Sequence, residues 1–220
     1  MKLSKQTLEI LRNFSVINAN ILIKKGNKLS TLAVAKNIMA EVTVDETFDE
    51  TVGIFNLPEL LGVVQMMGDP EIKLDTKFMT LSEGKTKLRY VYADQSILTY
   101  PTKDMKMPAE DISFDLTSGQ LLQIQKAAAA LGVQDIAVVG DGTSIIIQVL
   151  DKKNDGSNQY TIDLNTETTK EFTVYFKIEN FKHISDDYAV SISSKNISKF
   201  VGSSVGVTYF VAVEADSVWN

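Results

Sequence analysis

The residues whose type and spacing could do chemistry here are cations on the outer faces of helices, and the chemistry is phosphate contact. Lys5 and Arg12 lie seven residues apart, so at about 100° per residue they share one side of a helix. Leu3, Thr7, Ile10, Leu11 and Phe14 form the opposite stripe and face a core. Lys126 stands in the same way opposite Leu121, Ile124, Ala128 and Leu131, and no carboxylate lies within 118–131. A short helical turn near Asn180 sends Phe181 and Ile184 inward and Lys182 and His183 outward. Such cations read either as ordinary solvated faces or as a surface for a polyanion.

Other chemistries find no support in the residues. The chain has no cysteine and a single histidine, which removes thiolate nucleophiles and Cys-based zinc sites and strains any triad. No G-x-x-x-x-G-K-[ST] loop occurs, and Gly140-Asp141-Gly142 sits between strands as a hairpin turn. The run from Asp151 to Gly156 resembles a calcium loop only loosely, with Ile162 where a bidentate Glu is required. Asp186-Asp187 and the acids at 45–50 read as solvated loop residues. No cofactor, metal or catalytic constellation is expected.

The elements that must carry the cations follow from periodicity and punctuation. Ser4 caps the first helix, Asn56 with Pro58 and Glu59 starts a second, and Thr117 with Gln120 makes a capping box for a third. The second helix buries Leu57, Leu60, Leu61, Val64 and Met67, and its outer face has Glu59, Gly62 and Met66 but no cation. Strands are expected at 20–24 and 28–33 as a hairpin through Gly26, and at 37–44, 51–55, 71–75, 78–82 and 85–93. An extension is expected at 97–100, and 45–50 is read as a loop. Residues 101–112 read as a linker. Beyond it a helix, the strands 135–139 and 144–150, then 172–178, a helical turn and 188–193 repeat the order of the first half. A last strand is expected at 206–215. The plan is α+β: two similar domains, 1–104 and 105–220, each an antiparallel sheet with helices on one face.

At 220 residues, with 44% hydrophobic and 23% charged residues, the chain can bury a core in each half. No apolar run approaches the roughly 18 residues that span a bilayer, and the N-terminus lacks the apolar stretch of a signal peptide. The net charge of −6 opposes generic affinity for nucleic acid. Any role on DNA requires the cations to gather on one surface and the acids elsewhere.

The opening Met1-Lys2-Leu3-Ser4-Lys5, the helix ending Arg12-Asn13-Phe14, Ile17-Asn18, the 54–61 unit leading to Leu61-Gly62, and the ending Val213-Glu214-Ala215-Asp216-Ser217 resemble the sliding clamps of T-even-type bacteriophages. The likeness spans nearly the whole length. It implies a non-enzymatic DNA polymerase processivity factor, a homotrimeric ring of two-domain subunits, with helices lining the hole and sheets outside. Lys2, Lys5, Arg12, Lys126 and Lys182 would then face duplex DNA without reading its sequence. Subunits would join through edge strands, with Lys87, Arg89 and Val91 on one side and Tyr160 and Ile162 on the other. Val213, Ala215, Val218 and Trp219 would contribute to a pocket for peptides of the replicative polymerase, the clamp loader and late-transcription proteins, although Trp219 reads equally as a frayed tail residue. The implied setting is the cytoplasm of an infected bacterium, with no membrane partner. A ring- or tube-forming structural protein of a phage particle is the alternative that shares duplicated sheets, and an enzyme built on carboxylates is a third reading.

Overall fold

A computed structural model describes residues 1–219. The chain forms two compact units, Met1–Asp104 and a second beginning at Met105. In the first, α1 (Lys5–Ile17) starts where the Ser4 hydroxyl accepts from the Thr7 amide. It buries Ile10, Leu11 and Phe14. Four strands follow: β1 (Ile21–Ile23), β2 (Gly26–Leu32), β3 (Ile38–Phe48) and β4 (Val52–Ile54). Next come α2 (Leu57–Met67) and β5 (Glu71–Leu74), β6 (Phe78–Glu83) and β7 (Thr86–Val91). The caps fall where the sequence places them, because Asn56 accepts from the Glu59 amide and Pro58 occupies the first turn.

Pairing differs from the expected hairpin at Gly26. Strand β1 ladders with β4, Ile21 opposite Ile54, while β2 ladders with β3. Residues Ile21–Ile23 are buried on every side, as are Val52–Ile54, and two fully apolar strands satisfy each other better than either satisfies the half-exposed β2. Strand β3 also runs through Asp45 and Glu46, which the sequence reads as loop. Glu46 is half-buried there because the Ser4 amide and the Thr7 hydroxyl donate to its carboxylate. Burial works to raise that carboxyl, and these two donors outweigh it and hold it below the usual range. A negative charge at the start of α1 also complements the helix dipole. No strand forms at 97–100, where Ile97 closes a 3-10 turn, Gln95–Ile97, and 98–100 are irregular.

Gly53 of β4 allows the chain after β7 to lie against it. The Ala93 amide donates to the Gly53 carbonyl at 2.9 Å, and a Cβ at Gly53 would sit 2.5 Å from the Ala93 oxygen. Backbone cannot swing aside as a side chain can. Gly53→Ala is therefore expected to cost about 2 kcal/mol, measured by urea unfolding; an unchanged midpoint would show that the 92–98 segment gives way freely.

The second unit repeats this order. It holds β8 (Ile112–Leu116), α3 (Ser118–Leu131), β9 (Asp135–Asp141), β10 (Ser144–Leu150), β11 (Tyr160–Glu167) and β12 (Glu171–Lys177). A 3-10 turn (Ile178–Asn180) leads to β13 (Tyr188–Ser193), β14 (Ile197–Gly202), β15 (Thr208–Ala212) and β16 (Val218–Trp219). Strand β9 pairs with both β10 and β12, and β10 with β11. Strand β13 pairs with β8 and β14, and β14 with β15. The first unit carries a vestige of the β8 pairing: the Met1 and Ile72 backbones exchange two hydrogen bonds, at 2.7 and 2.8 Å. Where the first unit has α2, the second has only the 3-10 turn.

Five expectations in this unit are corrected. Ile112 begins a strand rather than closing a linker. The last long strand is shorter than 206–215 and gives way to a turn before β16, and β14 has no counterpart in the sequence reading. His183 is buried at 8% exposure rather than turned outward. It is enclosed by the rings of Phe181, Tyr188, Phe200 and Tyr209 at 4.4–5.4 Å. A phosphate-contact role for it is therefore withdrawn. Asp186, read as a solvated acid, is buried too, and accepts from the amides of Ser204 and Val205 at 3.0 and 2.9 Å.

Candidate nucleic-acid and partner surfaces

Helix α1 presents Lys5 and Arg12 to solvent, as its stripe demands. Glu9, one turn after Lys5, is exposed beside them, so the outward face holds two cations and one anion. Lys2 precedes the helix and its ammonium is paired with Asp69, which leaves it a weaker partner for phosphate than Lys5 or Arg12. Val16, 62% exposed, ends the same face. Helix α2 exposes Glu59, Gly62 and Met66 and contributes no cation.

In the second unit, the capping box at Thr117 and Gln120 is formed in both directions. Lys126 is exposed on α3. Next to it, Gln125 Nε2 donates to the Phe181 carbonyl at 3.0 Å, which ties α3 to the segment that carries the half-buried Lys182. One hydrogen bond thus joins the neighbours of both cations. A helix of Gln, Ala and a single Lys allows close approach of a phosphate backbone without tight binding.

Two of the sheet edges, β7 and β11, differ in charge. Strand β7 pairs with β6 and is one of the two outer strands of its sheet. Its exposed face shows Lys87, Arg89 and Val91, the last 64% exposed. The Arg89 guanidinium lies 4.0 Å from the centre of the Phe78 ring, which holds the side chain along the edge. Tyr90, on the other face, donates to the Asn56 carbonyl at 3.3 Å. Burial first, then the Glu59 carboxylate, pushes its phenol up to about 12. Strand β11 is the outer strand of a five-stranded sheet. It exposes Tyr160, Thr161 and Asp163 and turns Ile162 and Leu164 into its own core. Ile162 can therefore offer a partner its backbone but not its side chain.

The residues assigned to a peptide pocket separate in the same way. Val213 is buried at 6% exposure, Ala215 is exposed in a turn, and Val218 and Trp219 form β16 against β12. Trp219 is therefore paired rather than frayed. Lys152 pins this region, with its ammonium 2.9 Å from Asp216 and 3.7 Å from Glu214. Burial opposes the Lys152 charge, and Asp216 with the other acids outweighs it, so the ammonium is held above the usual lysine range. Nothing in the sequence marks Lys152 out, because its partners lie about sixty residues away.

Among the described residues no cluster of three His, Asp or Glu side chains could hold a metal, and no helix is long and apolar enough to cross a membrane.

Comparisons with known proteins bear on the family and the fold. Residues 2–100 match the family described as DNA polymerase processivity factor, and residues 113–215 match the gp45 sliding clamp, C terminal. The sliding clamp of Vibrio phage KVP40 is 31% identical over 98% of this chain and 100% of its own length. Those of Escherichia phage RB69 and Enterobacteria phage T4 are each 27% identical over 99% of this chain and 98% of theirs. Among solved structures, A. fulgidus PCNA superposes with a TM-score of 0.68 at 14% identity, covering 99% of this chain and 98% of that one. The DNA polymerase III beta sliding clamp of Bartonella birtlesii gives 0.71 at 15% identity, covering 97% of this chain and 64% of that one. The fold is that of a sliding clamp, and with relatives of this identity and coverage the chain belongs to the phage sliding clamp family, the non-catalytic processivity factors of DNA polymerase.

Proposed function

We propose that three copies of this chain close into a ring around duplex DNA and tether the replicative polymerase during synthesis. The observation that carries the reading is the duplicated plan in which each unit has an outer strand of opposite charge, β7 cationic and β11 acidic. A head-to-tail contact between unlike edges is heterologous, and such contacts generate rings when the rotation closes. Lys87, Arg89 and Val91 meet Tyr160, Asp163 and the backbone of Ile162 in this arrangement. Lys5, Arg12, Lys126 and Lys182 supply sparse phosphate contacts, with Lys2 in a lesser part. Few cations per subunit favour sliding, because each contact is weak and blind to sequence. Retention then comes from topology, which is how a chain of net charge −6 works on DNA. The clamp loader and late-transcription proteins would share the peptide site at 213–219 with the polymerase, and the setting is the cytoplasm of the infected host.

The test is polymerase processivity on primed circular DNA. The protein should lengthen products in a salt-sensitive manner. Lys5→Glu with Arg12→Glu should lower the gain about tenfold at constant fold, equivalent to ~1.4 kcal/mol of contact. No gain from the parent protein sinks the reading, and an unaltered gain from the double variant removes α1 from the DNA surface.

A further inference from the structure

Strand β12 has β9 along one side. On its other side the ladder reaches only Phe172 opposite Trp219 and Thr173 opposite Val218. Further along, that edge is completed by a substitute. The Tyr175 amide donates to the Ser217 hydroxyl at 2.9 Å, and the Tyr175 carbonyl accepts from the Glu214 amide at 2.9 Å. A side-chain hydroxyl standing where a strand carbonyl belongs makes a shorter and more exchangeable edge cover than a continuous ladder.

Two features set the balance of this cover. Lys152 holds it down, with a side chain only 9% exposed, its ammonium on Asp216 and Glu214 and 5.0 Å from the centre of the Tyr175 ring. Against this, the Trp219 indole N–H is buried with no acceptor among the described residues, so the desolvation of that donor goes uncompensated. Val218 is 49% exposed, so its apolar surface is only half used. The segment is attached and at the same time under-satisfied, as a displaceable cover must be.

The geometry points to residues 214–219 as a strap that occupies the β12 edge in place of an extended partner peptide, and that must leave before the peptide adds as a strand. This rests on the reading that partner peptides bind at 213–219. The chemistry of the peptide is written in the segment it replaces. Acidic residues take the places of Glu214 and Asp216 on Lys152, and an aromatic residue three positions later takes the place of Trp219. Main-chain hydrogen bonds to β12 supply affinity, while the lysine and the aromatic site supply selectivity. The intact strap meanwhile keeps the edge from pairing with stray strands.

The probe is a fluorescein-labelled hexapeptide, Glu-Ala-Asp-Ser-Val-Phe, which leaves Trp219 as the sole indole in the mixture. It is titrated into the full chain, into Val218→Pro, and into Asp216→Lys, which loosens the strap by charge without touching the backbone. The peptide should bind both variants about tenfold more tightly than the parent. At saturation in the parent it should red-shift Trp219 emission and raise its quenching by acrylamide. With the strap already released by Val218→Pro, adding Lys152→Glu should lower peptide affinity about tenfold. Equal binding to parent and variants, with Trp219 emission unmoved, overturns the strap and leaves the peptide-site reading standing. No binding to variants whose Trp219 is freely quenched shows that β12 is not a receptor and overturns the proposal; processivity of the parent protein then judges the polymerase reading separately. Binding to Val218→Pro that is indifferent to the added Lys152→Glu overturns the acidic part of the recognition.

Discussion

Replacing His183 by phenylalanine is expected to flatten the acid limb of the stability curve, leaving the variant about 3 kcal/mol more stable than the parent at pH 4. Both ring nitrogens of His183 are buried and have no hydrogen-bond partner among the described residues. Its surroundings are aromatic on every packed element: Phe181 before it, Tyr188 on β13, Phe200 on β14 and Tyr209 on β15. The two tyrosine hydroxyls are engaged elsewhere, Tyr188 donating to the Ile184 carbonyl and Tyr209 accepting from the Ile184 amide. Burial without a partner drives the imidazole down to about 3 from an ordinary 6.5.

The direction of the effect follows from proton counting. Below pH 6.5 the unfolded chain takes up a proton on His183 that the folded chain refuses, so acid favours unfolding. Stability is undiminished above 6.5 and falls by about 1.4 kcal/mol per pH unit until the folded value near 3 is reached. Phenylalanine keeps the ring contacts and removes the two polar atoms. Glu46 and Asp186, held low by their donors, lose stabilisation at lower pH in parent and variant alike, so they cancel in the difference. Urea unfolding of both proteins from pH 7.5 to 4 measures it. Parallel curves would mean that His183 is hydrated or protonated in the folded state.

His183 also shows where the sequence stops being legible. A helical turn at 181–184 puts Phe181 and Ile184 inside and His183 outside. The chain leaves its 3-10 turn at Asn180 instead, and Phe181, His183 and Ile184 all end up buried. Spacing over four residues cannot separate a period of two from one of 3.6. Glu46 fails for a related reason: the inward alternation Val42, Val44, Glu46, Phe48 continues a strand only if a carboxylate is admitted, and its donors lie some forty residues earlier. The β1–β4 ladder is likewise non-local. Helices and the duplicated order were readable, because caps and apolar stripes are local signals that act before packing. The cationic face of α1 was readable except for Glu9, which a search for cations passes over.

Reversing the β7 cations, Lys87→Glu with Arg89→Glu, is expected to weaken the head-to-tail contact proposed above about a hundredfold, ~2.7 kcal/mol. Side chains alternate along a strand, and strand addition keeps each face continuous. Lys87 and Arg89 share the exposed face of β7, and Asp163 is on the exposed face of β11. Leu88 and Tyr90 on one edge, and Ile162 and Leu164 on the other, then align on the inner face. Opposite charges directly across such a pair attract, and like charges repel by a similar amount. The variant therefore loses an attraction and gains a repulsion, and the carboxylate that replaces the Arg89 guanidinium no longer stacks on Phe78. Adding Asp163→Lys restores opposite charges with the polarity inverted and should recover at least half of the lost free energy. Sedimentation equilibrium at low and high salt reads the mass directly, and the parent assembly should itself loosen as salt screens the edge charges. An unchanged mass in the double variant, or no recovery in the triple variant with both folded by circular dichroism, would place the contact on other strands.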